Sequence, residues 1–211
     1  MKGFFVTGTD TGVGKTFFTA WWVRALRAAG IKACGFKPFL SGERTDAEVL
    51  HKANDGEISI DQVNPIWLKA PLSPYAACLV EDRPLDWEAL RGHWEWVRSS
   101  FQGVPIVEGV GGWLVPLDEK TFVREWAQEL NLPVVIVCRG GLGTLNHTLL
   151  TVESVRSAKL PIAGLVMNFH QTPDDLAART NPAILEQLTG LPILKMQTDE
   201  TSRDLPKWLL P

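Results

Sequence analysis

Lys15 and Thr16 close a glycine-rich run, Gly8-Thr9-Asp10-Thr11-Gly12-Val13-Gly14-Lys15-Thr16. These residue types in this order suit the holding of a triphosphate. Backbone N–H groups of such a loop and of the helix that follows it point at phosphate oxygens, and the helix dipole adds positive potential there. Gly12, Val13 and Gly14 form the cradle, Lys15 is placed to bridge the β- and γ-phosphates, and the Thr16 hydroxyl is placed to ligate Mg2+. Gly8 and Gly14 have five residues between them, one more than the usual phosphate loop.

Four further segments carry groups of the same kind. Glu108 ends an apolar run and precedes Gly109-Val110-Gly111-Gly112. A carboxylate there is suited to hold Mg2+ beside a nucleotide, and the glycines clear space next to it. Lys37 precedes Pro38-Phe39-Leu40-Ser41-Gly42. It reads as a holder of a phosphate or substrate anion, with Ser41 donating a hydrogen bond nearby, or as a lysine snorkelling at the rim. Asp46 alone reads as an acid in the first turn of a helix, favoured by the dipole. Leu142-Gly143-Thr144-Leu145-Asn146-His147 reads as a second glycine-flanked helix start, either an anion cradle or a simple cap.

These groups need elements to position them. Apolar runs at 3–7, 33–36, 104–107, 133–137, 162–167 and 191–196 read as strands. Helical patterns fall at 17–29, 45–53, 86–101, 121–130, 142–159 and 182–189. Strands alternating with helices predict an α/β, P-loop NTPase-like fold: a mostly parallel sheet with helices on both faces, in a single domain over 1–211. Continuous rather than alternating apolar runs fit strands buried on both sides. Ligands of such sheets bind at the carboxyl ends of strands. That rule gathers Thr11, Lys15, Lys37, Glu108, 139–143 and Asn168 into one region.

Composition narrows the classes. A net charge of −3 with no basic tract argues against nucleic acid as the main partner. No apolar stretch has the length of a membrane span. The early apolar run is too short for a secretory leader, so none is expected. Cys34, Cys78 and Cys138 are isolated and read as small buried hydrophobes in a reducing, cytoplasmic setting. Of nine tryptophans, Trp21, Trp22, Trp94 and Trp96 fall in helical patterns and read as packing residues.

Together these motifs resemble the dethiobiotin synthetases over most of the chain. The resemblance rests on 5–11 with Val13-Gly14-Lys15-Thr16, Gly35-Phe36-Lys37-Pro38 with Ser41-Gly42, Asp46, Asn64-Pro65 and Ser73-Pro74. It continues through 108–113, 142–147, and Ala163-Gly164 through Asn168. It implies an ATP-dependent cyclo-ligase that converts 7,8-diaminopelargonate, CO2 and ATP into dethiobiotin, ADP and phosphate, in biotin synthesis. A carbamate and then a carbamic-phosphoric anhydride would form on the way. By that match Thr16, Asp46 and Glu108 hold Mg2+. Lys15 and Lys37 neutralise phosphates and carbamate, with Thr11 and Ser41 hydrogen-bonding nearby, and Asn168 reads the adenine. Substrate contacts fall on Ser41, Gly111, Leu142, Gly143 and Asn146, and 142–147 of one subunit of a homodimer receives the substrate carboxylate held by the other. The chain departs from the pattern at Gly12, where some members carry an acid, at Tyr75, where histidine is common, and at 194–197, where a Gly-x-x-Pro turn is usual. The alternative is a P-loop switch ATPase of the partition or metal-insertion type. Those carry a signature lysine early in the loop, about where Asp10 stands here.

Overall fold

The computed structural model describes residues 2–170, 172–197 and 205–211. Six strands form one parallel sheet: β1 (Phe4–Gly8), β2 (Ala33–Phe36), β5 (Val104–Glu108), β6 (Val134–Arg139), β7 (Ile162–Asn168) and β8 (Ile193–Met196). Their order is β2-β5-β1-β6-β7-β8, and every neighbouring pair is parallel. The phosphate-loop strand β1 therefore sits centrally, between β5 and β6. β1 and β5 are buried along their whole length, as their unbroken apolar sequences require. The register pairs Val6 with Glu108 and Arg139 with Asn168, so several candidate residues emerge together at one edge.

Helices α1 (Lys15–Ala28) and α2 (Thr45–Ala53) pack on one another, α1 also against β1, β2 and β5. Phe18 and Trp22 belong to the buried face of α1, and the Trp22 ring lies tilted against Phe4 and Phe18 with centroids at 4.8 and 5.2 Å. At the far side α7 (Thr144–Ser157) packs on β6, β7 and α8 (Leu176–Thr189). Helices α5 (Trp87–Ser100) and α6 (Val123–Leu130) complete the larger elements. Trp21 and Trp22 are buried, and Trp94 and Trp96 are half-buried against the core. All three cysteines are buried and unpaired.

Several elements differ from expectation. A second sheet pairs β3 (Phe39–Ser41) with β4 (Ile66–Leu68); the short helix α4 (Pro74–Val80) packs on it, and another, α3 (Ile60–Val63), packs on α2 and β2. Strands of three residues are too short to show a periodicity. Helix α8 begins at Leu176 under the Asp175 cap and runs through Pro182, which in sequence looks like a helix start. No helix among the described residues is long and apolar enough to cross a membrane.

Candidate active site

The phosphate loop turns on glycine. Gly14, the cap of α1, has φ +96, a left-handed backbone that disfavours any side chain. A Cβ there would also lie 2.1 Å from Asn168 Nδ2. Behind it α1 presents Lys15 and Thr16 from its first turn. Lys15 donates to the Asp10 carbonyl at 3.2 Å, across the loop.

The loop forms one wall of a cleft of about 730 Å3. Thr11, Gly12, Gly14, Lys15, Thr16, Lys37, Ser41, Asp46, Glu108 and Gly111 all line it. At its floor three elements meet. Glu108, from the end of β5, is fully buried; its Oε1 accepts from the Thr16 hydroxyl at 2.7 Å and from Lys37 Nζ at 2.5 Å. Lys37, one residue past β2, is 3% exposed and also pairs with Asp46, Nζ to Oδ2 at 3.0 Å. The snorkelling alternative for Lys37 fails on that burial. Asp46 is not only a first-turn acid: it reaches from the start of α2 to the buried ammonium.

The two lysines are tuned in opposite directions. Burial comes first in lowering Lys15, to about 8, with the Lys37 charge second; Glu108, Asp46 and Asp10 oppose them. For Lys37 burial is also the largest effect and lowers the pKa, but Glu108 and Asp46 together overcome it and raise the group. Asp46 is held below its ordinary range: desolvation pushes it up, and Lys37, followed by the Thr16 hydroxyl, outweighs that.

Ser41 lines the cleft, and its hydroxyl donates to the Leu72 carbonyl at 2.5 Å. Val13 is buried beneath the loop and does not line the cleft. Asn168 stands behind the loop: Nδ2 donates to the Val13 carbonyl at 3.0 Å, and Oδ1 accepts from His170 N–H at 2.9 Å. One N–H and one lone pair of that amide stay uncommitted. Leu142, Gly143 and Asn146 are exposed at the start of α7 and do not line this cleft, Leu142 at 92%. Tyr75, half-buried in the first turn of α4, is not among the lining residues either.

Two asparagines escaped the sequence reading as positioning groups. Buried Asn54, capping α2, pairs both ways with Gly35 of β2: Nδ2 to Gly35 O at 3.0 Å, Gly35 N to Oδ1 at 2.7 Å. Buried Asn64 donates to the carbonyls of Lys37 at 2.8 Å and Ile66 at 3.0 Å. Asn64-Pro65 was visible as a motif without a role, and Asn54 gave no signal, since its partner lies nineteen positions away.

A family model described as an AAA domain matches residues 2–196. The ATP-dependent dethiobiotin synthetase of Endomicrobium trichonymphae is 38% identical, over 99% of both chains. That of Bacillus licheniformis is 40% identical over 92% of this chain and 84% of its own. That of Anaeromyxobacter dehalogenans is 43% identical over 90% and 86%. Among solved structures, the cell division protein FtsY of Thermotoga maritima aligns with a TM-score of 0.58 at 13% identity, over 99% of this chain and 66% of that one. The 54 kDa signal recognition particle protein of Aeropyrum pernix aligns at 0.56 and 16%, over 93% and 42%. These two likenesses are of fold. The sequence relatives span nearly the whole chain at well over 30% identity, and on that ground the chain belongs to the ATP-dependent dethiobiotin synthetases, a family of ligases.

Proposed function

We propose that this chain closes the cyclic urea of dethiobiotin from 7,8-diaminopelargonate, CO2 and ATP, with Mg2+, in the cytoplasm. The observation that carries the reading is Lys37. A buried ammonium held between Glu108 and Asp46 shares one cleft with the phosphate-loop residues Lys15 and Thr16. Such a site is built to gather negative charge, which is what the reaction develops.

In this reading one substrate amine takes up CO2 and loses a proton, giving a carbamate. A carbamate oxygen attacks the γ-phosphorus, forming the carbamic-phosphoric anhydride and expelling ADP. The second amine attacks the carbonyl carbon and phosphate leaves, its proton passing to solvent. The substrate supplies both nucleophiles, so the protein need only position groups and neutralise charge. Lys15 faces the phosphates, and Lys37 faces the carbamate and the γ-phosphate. The Ser41 oxygen, its proton already committed to Leu72, accepts from a substrate amine. Thr11 hydrogen-bonds beside them, Gly111 leaves room for the substrate chain, and the free amide edge of Asn168 reads the base.

The donors present fit Mg2+. The Thr16 hydroxyl and the Asp46 and Glu108 carboxylates are hard oxygen ligands, and Glu108 Oε2 is buried without a hydrogen-bond partner. When bound, the ion supplies charge neutralisation on phosphate oxygens. The exposed segment at Leu142, Gly143 and Asn146 has no part in its own cleft; in a homodimer it receives the substrate carboxylate of the partner.

A coupled ADP-release assay tests the reading. Release that depends on the diamine and on CO2 is expected. Release that ignores the diamine and responds only to a protein partner would replace the ligase with a switch ATPase.

A further inference from the structure

We infer that Arg139 and Asn168 form a clasp that holds the phosphate loop open from behind, before any nucleotide arrives. The inference rests on the triphosphate reading of the loop. The two residues end adjacent strands, β6 and β7, and face each other in register. Each donates to an outward carbonyl of the loop, at alternate positions. Arg139 Nη2 binds the Thr11 carbonyl at 3.2 Å, and Asn168 Nδ2 binds the Val13 carbonyl at 3.0 Å. The His170 N–H donates to Asn168 Oδ1, which fixes the amide with its nitrogen toward the loop.

The consequence follows from peptide geometry. In a trans peptide the C=O and the following N–H point in opposite directions, and no peptide bond among the described residues is cis. Pinning the Thr11 and Val13 carbonyls toward the strand ends therefore turns the N–H groups of Gly12 and Gly14 the other way, to the phosphate side. Gly14 also leaves the space that the Asn168 arm of the clasp occupies, since a Cβ there would run into Asn168 Nδ2. A loop that must order its N–H groups on binding bears that cost in affinity; two carbonyls fixed beforehand remove it in advance. Arg139 and Asn168 are then positioning residues, and Asn168 carries this duty in addition to any contact with the base.

Inorganic tripolyphosphate separates the two duties, because it has phosphates and no base. Calorimetry with Mg2+ compares its affinity and that of ATP in the wild type, Arg139→Met, Asn168→Ala and the isosteric Asn168→Asp. Each variant is expected to bind tripolyphosphate about five- to ten-fold more weakly, the loss that follows from one hydrogen bond. Arg139→Met should weaken ATP by the same factor, and Arg139→Lys, which keeps a donor, should restore most of the affinity. In the ligand-free variants the backbone amides of Gly12 and Gly14 should show lower NMR order parameters, while those of β1 stay as rigid as in the wild type. Unchanged tripolyphosphate affinity with weakened ATP would overturn the clasp and leave Asn168 a reader of the base alone. Weakened tripolyphosphate with unchanged loop order parameters would also overturn it, in favour of direct contact with phosphate. A wild type that binds neither ligand would instead sink the triphosphate reading itself.

Discussion

Two lysines share one cleft and are set to opposite ends of their range, and the difference is one of neighbours. Lys37 has two carboxylates in contact and keeps its proton despite burial. Lys15 has a carbonyl and a second cation nearby, and burial holds it at about 8. An unfolded chain holds the Lys15 proton up to about 10.5. Between about 8 and 10.5 it therefore binds more protons than the folded chain, and this group makes ligand-free stability rise with pH across that window. Below about 8 both states are protonated and the full cost is present. A bound triphosphate reverses the preference by stabilising the ammonium. ATP binding near pH 8.5 should then take up protons. Calorimetry in buffers of different ionisation enthalpy is expected to show this in the wild type and not in Lys15→Met, and a buffer-independent heat would refute it. Lys37→Ala should still unfold cooperatively, because Glu108 keeps the Thr16 hydroxyl. It should melt lower, since an unpaired buried carboxylate costs about 3–5 kcal/mol, and lose about 10²–10³-fold in kcat. Near-normal turnover would remove Lys37 from the mechanism.

At the scale of elements, position is set by residues with no chemistry of their own. β2 is an edge strand, and an edge exposes unpaired backbone groups. Asn54 closes that edge at Gly35 with a donor and an acceptor, ties it to the end of α2, and so fixes Lys37 two residues on. Asn54→Ala should cost about 2–6 kcal/mol, since two buried backbone groups lose partners at ~1–3 kcal/mol each. Its kcat should fall with that displacement of Lys37 while tripolyphosphate affinity stays near wild type, because the phosphate loop hangs from β1. Denaturant titration and steady-state kinetics check both; an unchanged midpoint would refute the edge argument. Asn54 also marks what sequence conveys. The strands of the large sheet were legible, since unbroken apolar runs ending in Thr7-Gly8, Glu108 and Asn168 announce both burial and the ligand edge. The loop lysine and threonine were legible through local spacing. Asn54, Asn64 and the pairing of β3 with β4 were not, because each depends on a partner distant in sequence, and neither a single asparagine nor a three-residue strand has a period to read. The Leu72 carbonyl that Ser41 meets is likewise thirty-one positions away.

At the scale of the whole molecule, a second groove lies beside the phosphate-loop cleft, with Val115 lining both. Leu114 and Leu150 are more than half exposed and line a groove beside Trp113, whose buried indole N–H has no hydrogen-bond partner. Leu150 lies on α7, the helix whose start carries Leu142, Gly143 and Asn146. We read these exposed leucines as part of a face that a second copy of this chain would cover. A second copy seated there would bury the leucines and bring the start of its own α7 toward this cleft, with N–H groups and the helix dipole suited to a carboxylate. The protein should therefore sediment as a dimer. Leu150→Asp should shift it toward monomer, and its KM for the diamine should rise at least ten-fold as the receiving segment departs. ATP or tripolyphosphate affinity should hardly change, because Lys15, Thr16 and the loop belong to a single chain. Asn146→Ala, which leaves the groove intact, should raise the diamine KM without altering the sedimentation coefficient. The pair separates assembly from recognition: one variant loses both, the other only the second. A wild type that sediments as a monomer at assay concentration and turns over the diamine at full rate would show that the cleft is complete in one chain.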